Sequence, residues 1–326
     1  AKELVVGEGI ARRSETSGHS LALVATASDT SYLVVGVAQH IVVFAGVDSN
    51  TAGTGLGLLA FLGAGYTHRE EKYRTVVRSG LDWLLSNQQD DGRLFTEKTD
   101  QTLFGRMYGH GIATIALCEA YGMTKDPELR QPAQRAVEFI LSAQHPTQGG
   151  WRYEPRLESD TSVSGWQLMA LRSAQMAGLA VPAENLHLVG RWLDQAQATG
   201  GARYRYNPYA TDTPEQRHGR TPNRTMTAEG LLMRMYLGWE RDNPSLIEGA
   251  EYLKGNLPEV GTQNQPLRDS YYWYYATQVM FHMQGEFWSG WNDRLRPLLE
   301  SSQVSKGDLA GSWNPDAPIA DRWSQA

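Results

Sequence analysis

From about residue 48 onward, two kinds of apolar segment alternate along the chain. The first kind opens polar and then runs apolar and small on nearly every face. It covers residues 48–66, 108–121, 160–178, 224–239 and 269–284. Apolar content all round predicts helices covered on both sides. Asp160 and Asp269 stand where helix N-caps are needed, since a carboxylate satisfies free amides of a first turn. The second kind carries more charge, as in residues 130–138, and predicts an outer layer of amphipathic helices.

The second kind also repeats. Trp83-Leu-Leu-Ser-Asn-Gln88 aligns with Phe139-Ile-Leu-Ser-Ala-Gln144 and Trp192-Leu-Asp-Gln-Ala-Gln197, with weaker copies at 252–257 and 298–303. The period is about fifty-odd residues, room for two helices and two loops. Most copies run into a glycine turn with an aromatic behind it, such as Gly149-Gly-Trp151, and glycine stops a helix by taking a left-handed conformation. A helical pair cannot bury its own apolar face, so pairs must stack. The expectation is an all-α fold: an α/α toroid (barrel) of about five to six tandem helical hairpins with inner and outer helix layers. An open solenoid is the alternative. Residues 1–47 form an atypical N-terminal segment, strand-like at 21–24 and 32–37. Residues 48–326 form the toroid domain, which the turn at 311–313 leaves short of a further inner helix, as in a C-terminal truncation.

Composition narrows the chemistry. The formal net charge is −6 with a pI near 5.8, so the chain has no bulk attraction for nucleic acid. One cysteine, Cys118, leaves no disulfide and no thiolate zinc cluster. No stretch is a clear membrane span. No cofactor and no metal is expected. The aromatic content is high, with 10 Trp and 15 Tyr.

The Gln-then-Gly-x-aromatic turns resemble the repeat of squalene-hopene and oxidosqualene cyclases. Arg78, Gly80, Trp83, Leu84, Gln88, Gly92 and Phe95 match one copy, Arg135, Phe139, Ile140, Gln144, Gly149 and Trp151 a second, and Gln303, Gly311 and Trp313 the end of a third. The resemblance implies a toroid that handles terpenoids or polyprenyls. The cyclases' protonating Asp falls on Ser159 here, leaving Glu158 and Asp160 as a rearranged acid pair. The segment Asp160-Thr-Ser-Val-Ser-Gly-Trp-Gln167 also resembles the zinc-bearing helix of protein prenyltransferase β subunits. The zinc-ligand positions are Ser162 and Tyr272, so zinc-bound thiol prenylation is not expected.

Glu158 and Asp160 are the catalytic candidates, with a bare helix cap as the blander role for Asp160. His110, Trp166, Glu229, Asp269, Tyr272, Trp273 and Tyr275 are candidates for lining the cavity. The run at 271–275 could supply π faces to a cation, or simply pack the core. A buried Glu229 would have a raised pKa and could act as an acid. Three readings follow. The first is a cyclase-like enzyme with an apolar isoprenoid ligand. The second is a non-catalytic toroid binding a protein partner or ligand. The third is a polysaccharide lyase or hydrolase using paired carboxylates.

Overall fold

The computed structural model describes residues 43–44, 47–70, 72–306, 311 and 313. The strand-like stretches expected at 21–24 and 32–37 lie outside them. Among the described residues there is one two-stranded antiparallel ribbon, β1 (Val43–Phe44) with β2 (Val47–Asp48), and the other regular elements are helices joined by loops. The helices are α1 (Asn50–Gly63), α2 (Arg74–Asn87), α3 (Leu103–Thr124), α4 (Pro127–Ala143), α5 (Thr161–Ala177), α6 (Ala183–Ala196), α7 (Arg224–Tyr236), α8 (Pro244–Lys254), α9 (Ser270–Met283) and α10 (Gly285–Ser302). The odd-numbered helices are the thoroughly apolar segments and the even-numbered ones the amphipathic segments, so the alternation read from the sequence is the alternation of the fold. The described residues group into two compact units, those up to 143 with 169–182 and 303–313, and those at 144–168 with 183–302.

In the first unit α1 packs on α3, which in turn packs on α4. Every residue of α3 from 109 to 120 is buried, as its composition requires. The helix begins at Leu103, earlier than the start at 108 read from the sequence. Gly109 serves close packing instead: a methyl group there would stand 2.8 Å from the Ser49 hydroxyl oxygen and 3.1 Å from Asp100 Oδ1. His110 is fully buried with both ring nitrogens on backbone, Nδ1 accepting from the Leu94 amide at 3.2 Å and Nε2 facing the Ala136 carbonyl at 3.0 Å. Burial lowers its pKa to about 4, so it is a neutral clamp between a loop and α4.

The glutamines that close the outer helices do one repeated job. In the first unit, Gln88 donates to the carbonyls of Gly92 (3.1 Å) and Pro132 (2.9 Å) and accepts from Arg135 (2.6 Å). In the second, Gln144 donates to the carbonyls of Gly149 (2.8 Å) and Asn185 (3.0 Å) and accepts from the Asn185 amide (2.6 Å). Each glutamine thus pins its own glycine turn and the start of the next outer helix. The glycine is obligatory at Gly149: its φ is +87°, and a methyl group would fall 2.1 Å from the Leu188 carbonyl oxygen.

The second unit is built on α7 and α9, which pack together and are backed by α8 and α10. Asn223 and Asp269 cap α7 and α9 by accepting from the amides of Met226 and Tyr272. No described helix is long and apolar enough to cross a membrane.

Candidate functional site

The site lies within the second unit, at the N-terminus of α5. Asp160 is the cap: its Oδ1 accepts from the Val163 amide at 2.7 Å. The loop before α5 folds back on it. The Asp160 amide donates to the Trp151 carbonyl at 2.9 Å, the Gly150 amide to the Ser159 hydroxyl at 3.0 Å, and the Trp151 amide to the Ser164 hydroxyl at 2.9 Å. This short antiparallel bridge returns Arg152 and Tyr153, which follow the Gly-Gly-Trp turn, to the carboxyl. The loop before α7 is laid over the same helix end, with the Thr161 amide and hydroxyl donating to the carbonyls of Tyr206 (2.9 Å) and Arg205 (2.7 Å). It brings the Tyr206 hydroxyl to Asp160 Oδ2, to which it donates at 3.1 Å. The Tyr206 hydroxyl also bonds that of Tyr153.

Arg152 joins two carboxyl groups. Its NH1 meets Glu158 Oε2 at 2.6 Å and its Nε approaches Asp160 Oδ2 at 3.7 Å. The two partners live in different solvents: the Glu158 side chain is 61% exposed and that of Asp160 0%. Burial pushes the Asp160 carboxyl up to about 7, against the opposing pull of the Val163 amide, Arg152 and Tyr206. Glu158 and Asp160 thus share one guanidinium.

Glu229 on α7 is also wholly buried. Neither carboxyl oxygen has a partner at full hydrogen-bonding geometry, and Tyr275 on α9 is the donor that faces it. Burial raises its pKa well above the ordinary value, and the charge of Asp160 adds to the rise. The aromatic candidates sit in packed interior. Trp166 stacks on Tyr274 with ring centroids 5.3 Å apart and meets Tyr275 edge-on. Tyr272 donates to the Asn256 carbonyl at 2.8 Å and meets Trp291 edge-on. Trp273 is buried, its carbonyl accepting from the Thr277 hydroxyl. Asp269, besides capping α9, pairs with Arg224 at 3.2 Å. Ser159 and Ser162, where cyclase acid and zinc ligand would stand, are turned to the Gly150 amide and the Tyr271 hydroxyl. No described cluster of three His, Cys, Asp or Glu side chains could hold a metal ion.

Arg152, Tyr153 and Tyr206 were not singled out from the sequence. A signal for them exists: a basic residue and an aromatic follow the glycine turn in Gly150-Trp-Arg-Tyr153 and again in Gly201-Ala-Arg-Tyr-Arg-Tyr206.

No family model matches the sequence, and no curated protein matches it significantly. Solved structures do match. The α-1,6-mannanase GH76A of Salegentibacter sp. HEL1_6 superposes with a TM-score of 0.57 at 13% identity, over 90% of this chain and 94% of that one. An inactive variant of it with two aspartates changed to asparagine, in complex with α-1,6-mannotriose, gives 0.59 at 13% identity over the same shares. A second inactive variant, with the same two changed to alanine and α-1,6-mannotetraose bound, gives 0.57 at 14%.

The fold is that of the α/α toroids. This corrects the family resemblance and the isoprenoid expectation drawn from it: the matching structures are glycan hydrolases, not squalene cyclases or prenyltransferases, and their ligands are oligosaccharides. The physical reason is visible in Gln88 and Gln144. The Gln–Gly–aromatic turn is a device for stacking helical hairpins, indifferent to the chemistry the stack supports.

Proposed function

We propose that this protein handles a polysaccharide, and that the carboxyl pair at the α5 N-terminus cleaves a glycosidic bond in it. The observation that carries the reading is Asp160: a sealed carboxyl, raised by burial above the ordinary carboxylate range, with a second, solvent-facing carboxylate across a single guanidinium. Two-carboxylate glycoside hydrolysis needs this division, one group kept as an acid for the leaving oxygen and one ionised to act as base or nucleophile. The separations it uses, about 5–9.5 Å, are of the order one bridging guanidinium sets. Asp160 takes the acid role and Glu158 the ionised one, with Arg152 holding Glu158 in place. The likeness to an α-1,6-mannanase supports a glycan substrate. The test is to incubate the full chain with α-1,6-mannotetraose and with unrelated glycans and follow products by mass spectrometry. Shortened oligosaccharides that disappear in Asp160→Asn support the reading; retained but uncleaved glycan points to the second one.

That second reading is a toroid that binds a glycan without cutting it. It is favoured by one observation. Loss of two adjacent aspartates inactivates the mannanase, and the one adjacent aspartate pair in this sequence, Asp90–Asp91, lies in an exposed turn after α2.

A further inference from the structure

Asp160 is out of reach of solvent, yet an acid must gain and lose its proton. Its surroundings leave few ways in. Oδ1 is taken by the Val163 amide, which cannot carry a proton. Oδ2 faces Arg152 and Tyr206. Arg152 is permanently charged, its neighbours Glu158, Asp160 and the tyrosines raising its pKa further, so it offers no site for transfer. Glu229, on α7, is as deeply buried as Asp160 itself. Tyr206 differs from all of these. Its hydroxyl touches the carboxyl and also the Tyr153 hydroxyl, and both tyrosines are only part-buried.

We infer that Tyr206, backed by Tyr153, is the proton route between the Asp160 carboxyl and the solvent or substrate side, and that Tyr206 rather than Asp160 touches the glycosidic oxygen. This rests on the hydrolase reading only for its substrate. When Asp160 is protonated its bond to Tyr206 runs the other way, the carboxyl donating and the Tyr206 hydroxyl turning its own proton to the substrate. In the transfer, the Asp160 proton moves to the Tyr206 oxygen as the Tyr206 proton moves to the glycosidic oxygen. The bond from that oxygen to the anomeric carbon breaks, and the leaving group departs as an alcohol. Water adds at the anomeric carbon, and its proton returns through Tyr206 to the Asp160 carboxylate. Tyr206 ends unchanged and never ionises, consistent with burial and the nearby Asp160 charge holding its pKa well above the ordinary value.

The experiment is a pH jump across neutrality on the full chain, read by the infrared band of the protonated carboxyl and assigned by its loss in Asp160→Asn. Tyr206→Phe keeps the ring and the backbone bond to Thr161 and removes only the hydroxyl. Protonation of Asp160 should relax at least about tenfold more slowly in Tyr206→Phe, with a smaller slowing in Tyr153→Phe. An unchanged rate in Tyr206→Phe overturns the inference. A leaving-group comparison then ties it to cleavage. Tyr206→Phe should lose kcat/KM on α-1,6-mannotetraose but hold kcat/KM on a dinitrophenyl mannoside, whose leaving group needs no proton, while kcat on the mannoside falls because the water's proton has lost its route. Equal loss of kcat/KM on both substrates overturns the substrate-side half of the inference. If the wild-type protein cleaves neither while Tyr206→Phe still slows relaxation, the hydrolase reading fails and the proton route stands.

Discussion

The Glu229 carboxyl on α7 rests against the backbone of Gly165 on α5. A methyl group added at Gly165 would lie 2.0 Å from Glu229 Oε1 and 2.8 Å from its Cδ. Glu229 has no exposed surface into which to swing away, so the two helices approach here only because position 165 has no side chain.

Gly165→Ala should therefore destabilise the protein by about 1–3 kcal/mol, the usual cost of overpacking, in a chemical denaturation series. Shortening the opposing side chain tests the cause. Glu229→Ala in the Gly165→Ala background should recover part of the loss, which is a coupling opposite in sign to simple additivity. Independent effects of the two changes would mean the helices do not meet at this point.

A pH series should show the buried acids directly. The folded-state pKa of Asp160 is about 7 against an ordinary value of 3.8, and that of Glu229 is raised too. Folded protein thus holds protons that unfolded chain gives up. Their contribution to stability is fully present below about pH 4 and is lost as pH climbs toward 7 and beyond. Asp160→Asn keeps a capping side chain and removes the titration, so its urea midpoint should fall less between pH 4 and 7 than that of the wild type. A parallel decline in both proteins would place the titrating group elsewhere. Asp126, which His68 and Arg69 hold well below the usual carboxylate range, acts in the opposite sense at the acid end.

The layer alternation was legible because it depends on composition along each helix: the wholly buried run 109–120 contains almost nothing that could face water. The turns were legible because Gln88 and Gln144 repeat one local geometry. The site was legible only in part. Asp160 stood out as a carboxyl at a helix start, but its surroundings come from two loops, one ending at Asp160 and the other 46 residues beyond it at Tyr206. No periodicity in a sequence records which loop is laid over which helix end. The same limit misdirected the functional expectation, since the repeat encodes how hairpins stack and leaves the solvent-facing loops free to vary.

The turn device makes its own prediction. Gln144→Ala leaves the carbonyls of Gly149 and Asn185 without their donor and should cost about 1–3 kcal/mol. Gln144→Glu matches the shape yet has no amide to donate, and it sets a carboxylate oxygen against two carbonyls. It should be at least as destabilising as the alanine, measured by thermal unfolding above pH 6. A benign glutamate would mean that the shape at this position matters and the hydrogen bonds do not.

The identity of the second carboxyl can be decided by substitutions at three sites made side by side. If Arg152 holds Glu158 as the ionised member of the pair, Glu158→Gln should lower kcat on a cleaved glycan by about a hundredfold or more, because neither base nor nucleophile remains. A nucleophilic or basic Glu158 also implies that small added anions such as azide or formate restore part of the rate to Glu158→Ala. Glu229→Gln should leave kcat within a few fold, since a carboxyl pressed against Gly165 with no exposed surface has no route to substrate. Asp90→Asn with Asp91→Asn should be silent if the solvent-facing turn after α2 takes no part. A result in which the Asp90–Asp91 change abolishes cleavage and Glu158→Gln does not would move the chemistry out of the α5 N-terminus altogether, into a pair whose only visible feature is that two aspartates are adjacent.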